Sequence, residues 1–386
     1  MTQIKQLTEK DFDAIFELSA FAFQFELDEA ERKRREEEAA RHEIYGYMVD
    51  EQLAGKVHII PLSINIGGHS FNMGGISAVA TWPEYRRRGI AKDLLQHSLR
   101  KMKENGQVIS LLHPFLVGFY RKYGWELAYV QKKYTIPIEK LKRDWQTNGY
   151  VRRSATQSEL NNLYQTFAQK YNGMLERDEK WWQQRVLADS AVQIAVVYAA
   201  SGEPEGYIIY KVKENVLTVK DYAYTTQNGL RLIYEFIGNH DSMAKEVQLT
   251  VAENDVLPLH LADPMFSQSL EPYFMARIVD VHAFLKQYPF IGENESVMID
   301  VTDDSMSENS GCYQLKVIQD VATVTKVKQG AKGDVQCSVQ QLAQIFLSFK
   351  RAPELFENGL ISGEKSAIQC LDRMIPNRQT YLGDFF

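Results

Sequence analysis

Cysteine is scarce. Cys312, Cys337 and Cys370 are the only three in 386 residues, widely spaced and odd in number. No pair has zinc-ligand spacing, so neither a metal site nor a disulfide framework is expected. A reducing, cytoplasmic compartment is the expectation that follows. A basic surplus is lacking too: 44 Lys and Arg face 50 Asp and Glu, for a net charge of −6. That balance argues against a protein whose main business is gripping a nucleic-acid backbone. It suits a cationic small molecule, which an acidic surface attracts. Long hydrophobic runs are missing as well. The most apolar stretch, "AVQIAVVYAA" (191–200), is too short to cross a membrane. The opening "MTQIKQLTEKDFDAIF" carries acids and has no apolar core of a signal peptide. Two nucleotide-binding patterns are absent: the P-loop G-x-x-x-x-G-K-[ST] and the dinucleotide fingerprint G-x-G-x-x-G after a strand.

What is present fits a globular chain with more than one hydrophobic core. Thr8 with Asp11 and Thr156 with Glu159 each place a hydroxyl three residues before an acid, ahead of an apolar pattern of helical period. Both read as capped helix starts. Their spacing suggests a boundary near residue 150 and a faint duplication. Residues 27–43, "LDEAERKRREEEAARHE", read as a solvent-exposed helix laced by i,i+4 charge pairs, with a flap over a substrate cleft as the functional alternative. "YGYMVD", "LAGKVHIIPLSINI" and "GGHSFNMGGISAVAT" read as strands broken by turn residues, and "VISLLH" (108–113) as another. After residue 285, "VMIDV", "SENSGCYQLKVI" and "VATVTKV" predict further strands, followed by helices. The expected division is 1–150, 151–285 and 286–386, all α+β with mixed sheets.

The stretch that points to chemistry is "VATWPEYRRRGIAK" (79–92). Ile90, Leu94, Leu95, Leu99 and Met102 fall on one face of a helix entered through this loop. Gly89 stands where backbone must approach something closely or take unusual dihedrals. The first-turn N–H groups of a helix lack intrahelical partners and carry the positive end of its dipole, so an anion belongs there. Arg86, Arg87 and Arg88 add charge suited to phosphate.

Arg86-x-x-Gly89-x-Ala91 matches the Q/R-x-x-G-x-G/A loop of GNAT acetyltransferases. The resemblance implies that Arg86, Arg87, Arg88, Gly89, Ile90, Ala91 and Lys92 hold the pyrophosphate of acetyl-CoA. It also implies that the backbone of Val79, Ala80 and Thr81 pairs with the pantetheine arm. With "FYRKYGWE" (119–126), "MARIVDVHAFL" (275–285) and an α+β C-terminal segment, the whole chain resembles the Eis family of bacterial N-acetyltransferases. Such a protein joins an active GNAT domain, a second GNAT-like domain and a sterol-carrier-like domain. By this resemblance Tyr120 is the general acid, with Tyr123 a close neighbour, and the carboxylate of Phe386 accepts the proton. Asp384 could share that role. Phe115 and Leu116 would line the acetyl-CoA channel, and His113 is either a substrate contact or a loop histidine. The second domain's equivalent loop, "AYTTQNGLRLIYEFI" (223–237), has Gly229 but no arginines, so it is expected to be inactive. Trp181 and Trp182 are expected in a core, and Glu205 and Asp221 are candidates for an acidic pocket. The implied acceptor is a small cationic amine, such as an aminoglycoside, a lysine side chain or a polyamine, and the implied assembly is a homohexamer. Nucleic acid and membrane are not expected partners. The alternative is a non-catalytic binding or assembly protein on a vestigial GNAT fold.

Overall fold

The run "LAGKVHIIPLSINI" becomes one long strand, and its alternating side chains divide between two helical layers. The computed structural model describes residues 2–327 and 333–386. Strands β1 (Thr2–Leu7), β2 (Glu43–Val49), β3 (Gln52–Ile66), β4 (His69–Thr81) and β5 (Ile109–Leu112) lie in that order in a seven-stranded sheet. Two distant strands, Met275–Ile278 and then Glu126–Leu127, complete it. Helix α1 (Phe12–Phe23) follows the capping box formed at Thr8 and Asp11. Helix α2 (Glu29–Ala39) buries only Ala39, which fits its charge-laced sequence. Helix α3 (Ile90–Glu104) buries Ile90, Leu94, Leu95, Ser98, Leu99 and Met102. Val57 and Ile59 of β3 and Ile76 of β4 join that core on the α3 face. Ile15 and Phe16 of α1 pack with Leu7, Ala39 and Ile44 in a separate cluster.

A second seven-stranded sheet runs Ser267–Pro272, Val130–Pro137, Glu246–Val251, Val216–Tyr224, Pro204–Lys213, Gln193–Ala199, Gly149–Arg152. The Gln157–Ala168 helix, capped by Thr156, packs Leu160, Leu163, Tyr164 and Phe167 against one face. The Gln227–Gly238 helix packs against the other. Glu159 does not complete a capping box. Its carboxylate accepts instead from the Tyr198 hydroxyl, at 2.7 Å. A five-stranded sheet forms from Val321–Lys326, Gly311–Ile318, Asn294–Thr302, Val335–Ser338 and Ser362–Gly363, with helices Val339–Phe346, Ala352–Glu357 and Lys365–Arg373.

The described chain divides into two compact units. One holds residues up to Ala128, Tyr273–Asn377 and Phe385–Phe386; the other holds Tyr129–Pro272 and Arg378–Asp384. The boundaries expected at 150 and 285 are therefore displaced. Val130–Pro137 pairs with Glu246–Val251 and so belongs with the second sheet. Met275–Ile278 pairs with β5 and belongs with the first. The 286–377 segment is joined to the first unit by polar anchors. Gln344 donates to the Leu127 carbonyl, and the buried guanidinium of Arg277 pairs with Asp303 at 2.7 Å.

Candidate active site

β4 and β5 run parallel and pair from Met73↔Ile109 to Ile76↔Leu112. β5 then ends while β4 continues to Thr81. Residues 77–81 thus have no partner on the β5 side, although they still pair with β3 on the other. A bulge falls here: Lys56 pairs Ala80 and His58 pairs Ser77, so Ala78 and Val79 oppose Val57 alone. Ala78 takes φ 49°, a left-handed conformation that costs an L-residue about 1 kcal/mol or more. Such bulges re-aim a strand beside functional sites. Backbone groups of residues 77–81 that do not bond to β3 are left facing the gap, where an extended amide-bearing chain can pair with them.

The strand leads through Pro83–Tyr85 to the arginine loop and α3. Arg87 takes φ 64° and Gly89 φ 85°. A Cβ built at Gly89 meets nothing within 4 Å, so this glycine is required by its dihedral and leaves open space above the helix N-terminus. No side chain caps α3. Arg86, Arg87 and Arg88 are exposed. Among the described residues none has a carboxylate partner: Arg86 reaches the Thr81 carbonyl at 3.4 Å, and Arg88 lies over the Tyr85 ring. Free cations around uncapped N–H groups make a cradle for phosphate oxygens. Ile90 contributes only its backbone to this face, since its side chain is in the core, whereas Lys92 is exposed.

Helix α4 (Val117–Arg121) carries Tyr120, which is buried against Trp125 and flanked by Phe115 and Phe119 at ring-centroid distances of 5.4 and 5.1 Å. Burial pushes its phenol well above the ordinary value. Its hydroxyl has no hydrogen-bond partner among the described residues, and it is not sealed from solvent. Tyr123 is less buried and its carbonyl accepts from Arg277. That guanidinium fills the place a Cβ at Gly124 would occupy, which explains the glycine in "FYRKYGWE". Phe115 and Leu116 are exposed on the β5–α4 loop, so they edge the gap rather than form its core.

Phe386 is buried, with its ring on Gly75 of β4 and 4.8 Å from Phe274. Phe385 lies 5.1 Å from His113, whose pKa is lowered by partial burial. Tyr120, the β4 gap, the arginine loop and Phe386 therefore gather in one unit. Asp384 does not join them. Its carboxylate accepts from Arg177, Trp181 and Tyr164 in the second unit, so the role it was expected to share is corrected. Asp221 is likewise consumed, by Arg177 at 2.7 Å and by Tyr207. Glu205 accepts from Asn228. Neither is a free acid of a pocket. Trp181 and Trp182 are buried, as expected.

Sequence reasoning missed a polar chain under the bulge, formed by Lys56, His58 and His42. The signal was a lysine and a histidine inside an otherwise apolar strand, where charges are almost never fully buried. Among the described residues no cluster of three or more His, Cys, Asp or Glu could hold a metal ion, and no helix is long and apolar enough to cross a membrane.

Comparison with known proteins matches three successive stretches of the chain. Residues 3–128 and 173–278 each match an acetyltransferase (GNAT) domain, and residues 281–383 match a sterol carrier protein domain. An uncharacterized N-acetyltransferase of Streptomyces griseus is 22% identical over 324 residues, 76% of each chain. The N-acetyltransferase Eis of Mycobacterium tuberculosis is 22% identical over 303 residues, 73% of this chain and 72% of its own. A solved structure from Enterococcus faecalis V583, described as a probable N-acyltransferase, superposes over 100% of both chains with a TM-score of 0.94 and 27% identity. An uncapped, arginine-lined helix beside a splayed strand pair, within this three-domain order and with these relatives, places the chain in the Eis family of GNAT N-acetyltransferases.

Proposed function

We propose that the first unit transfers acetyl from acetyl-CoA directly to a primary amine of a small cationic acceptor, of the aminoglycoside, polyamine or lysine side-chain type. The observation that carries this reading is the 77–81 segment, open on its β5 side, leading to an uncapped helix with three arginines that have no carboxylate partner among the described residues. Arg86–Lys92 would take the pyrophosphate and Val79–Thr81 the pantetheine arm, leaving the reacting end toward Tyr120 and Phe386. Phe115 and Leu116 would border the arm.

The thioester supplies an activated acetyl group. The chain's own residues align it and move protons. The acceptor arrives as an ammonium ion and must lose a proton before its lone pair can attack. The carboxylate of Phe386 is the proposed acceptor of that proton. A terminal carboxyl has a reference pKa of about 3.5. As the N–C bond forms and the C–S bond breaks, Tyr120 donates to the developing thiolate. Its raised pKa keeps the phenol protonated across the physiological range, and the same apolar surroundings make a thiolate more basic. The net charge of −6 favours cationic acceptors. Three buried cysteines, none in a disulfide, support a reducing cytoplasm. The family resemblance supports a homohexamer, for which the mass in solution is the check.

The first experiment follows CoA thiol release with a thiol-reactive dye across aminoglycosides, polyamines and lysine peptides. Turnover with one class establishes the acceptor. Silence across the panel together with absent acetyl-CoA binding would sink the reading. Tyr120→Phe should lower kcat by about 100-fold or more with acetyl-CoA affinity unchanged. An extension beyond Phe386 should depress the rate, and a tagged enzyme with normal turnover removes the terminal carboxylate from the mechanism.

A further inference from the structure

Acetyl transfer from a thioester to an ammonium releases one proton per turnover, because the products are an amide and a protonated thiol. That proton must reach water before the next cycle. The structure assigns Lys56, His58 and His42 as a proton outlet, running from the face of β4 on which Phe386 packs to an open cleft beside β1, α1 and the end of α2. The assignment rests on the acetyl-transfer reading above.

The geometry places these groups on the correct face. Gly55 points at Ile90 and Gly74 at Met102, so odd-numbered β3 positions here and even-numbered β4 positions face α3. Lys56, His58 and Ile60 therefore face the opposite side. Ile60 pairs with Gly75, the glycine against which the Phe386 ring packs, and His58 pairs with the next residue on that face, Ser77. The proposed first proton acceptor and the polar chain thus share one face of two adjacent strands. Lys56 is fully buried. Its Nζ donates to the carbonyl of Ala78 at 3.1 Å and lies 3.2 Å from Nε2 of His58. Nδ1 of His58 lies 3.2 Å from Nδ1 of His42. His42 lines a cleft of about 490 Å³ with Leu7, Thr8, Glu9 and Lys10.

Two features make this a conductor rather than a filler. Lys56 has no carboxylate within ion-pair distance among the described residues, whereas a buried amine kept for stability is normally paired. Burial lowers its pKa to about 7, so it gains and loses a proton near neutrality. His58 is held well below its usual range by burial, then by Lys56 and His42. It therefore carries the proton only in passage. Neutral Lys56 would accept at Nζ the proton that the Phe386 carboxylate took from the ammonium, and pass one to Nε2 of His58. His58 releases one from Nδ1 to His42, and His42 releases its own to cleft water. No atom other than hydrogen moves, and no oxidant or cofactor is needed. Among the described residues the charged groups that act on His58 are Lys56 and His42, and Glu9 and Lys10 line the mouth beside His42.

The test measures kcat and KM for acetyl-CoA from about pH 6 to 9 for wild type, Lys56→Met, His58→Gln and His42→Ala. Wild type without turnover overturns both the acetyl-transfer reading and the relay. With wild type active, each variant should lose about tenfold or more in kcat while KM for acetyl-CoA stays within about twofold. Imidazole in the buffer should restore His42→Ala, which opens a hole at the cleft. Lys56→Met should keep or raise the thermal midpoint, because it removes an unpaired buried amine. Unchanged kcat across the pH range in an active wild-type background overturns the relay alone. So does loss of kcat in His42→Ala that imidazole does not restore. If Lys56→Met or His58→Gln fails to fold, half-buried His42→Ala decides the question by itself.

Discussion

The two sheets repeat one device and finish it differently. In the first unit, β4 and β5 separate after Ile76↔Leu112. In the second, Val216–Tyr224 and Glu246–Val251 pair in parallel only from Val216↔Glu246 to Thr218↔Gln248 and then separate. A helix follows the longer strand in both. The first helix begins uncapped under free arginines. The second begins with Thr226, whose hydroxyl accepts from the Gly229 N–H at 2.9 Å. A Cβ at Gly229 would lie 2.4 Å from the Glu205 carbonyl, so that N-terminus is closed by backbone and bordered by an acid. The second gap is filled as well. Tyr381 donates to the Thr250 carbonyl, and its ring packs on Tyr171. Arg177 links Asp221 to Asp384 beneath Tyr164 and Trp182. The helix is present in both sheets, and what differs is the surroundings of its N-terminus.

Four changes probe this contrast. The largest effect is expected from Asp384→Ala, which leaves Arg177 buried with half its partners. Burial opposes the charge of that guanidinium, and Asp221 and Asp384 together more than restore it. Removing one partner of a buried pair costs about 3–5 kcal/mol, which chemical denaturation of the purified protein would register. Stability equal to wild type would show that the network is idle. Next, Arg88→Ala with Gly89→Glu should weaken acetyl-CoA on the order of 100-fold in calorimetry, by lost charge and by a side chain in the open space above α3. Unchanged affinity would refute the loop assignment. Third, raising salt from about 0.05 to 0.5 M should weaken acetyl-CoA several-fold, because the arginines are exposed and screened. The smallest effect belongs to Asn228→Arg in a background whose first loop is disabled. It should restore no binding, since Thr226 and Glu205 still close the second helix. Recovery there would mean that arginines alone make the site.

The sequence disclosed the loop and the helix it opens because both signals are local: a glycine at a left-handed position, a run of arginines and an apolar face of helical period. Short motifs also singled out Tyr120 and a second loop that lacks arginines. Long-range pairing was not legible. Nothing near Val130 announces that its strand pairs with residue 251, or near Met275 that its strand returns to β5. Tertiary partners decided the fate of each carboxylate. Asp221, Glu205 and Asp384 read as available acids until Arg177 and Asn228 reach them. The bulge at Ala78 was equally invisible, because it is a mismatch of two strands and neither records it alone.

The filled second gap has a thermodynamic consequence. Residues 378–384 behave as a ligand tied to its own receptor, at an effective concentration that no dilution lowers. A domain that binds a free molecule gains stability by mass action, about 2.7 kcal/mol at a hundred times the dissociation constant. The first unit should gain in this way whenever coenzyme is abundant. The second holds its occupant covalently, so its melting carries no record of metabolite supply. Of the two GNAT folds, the second is thus permanently saturated by its own chain.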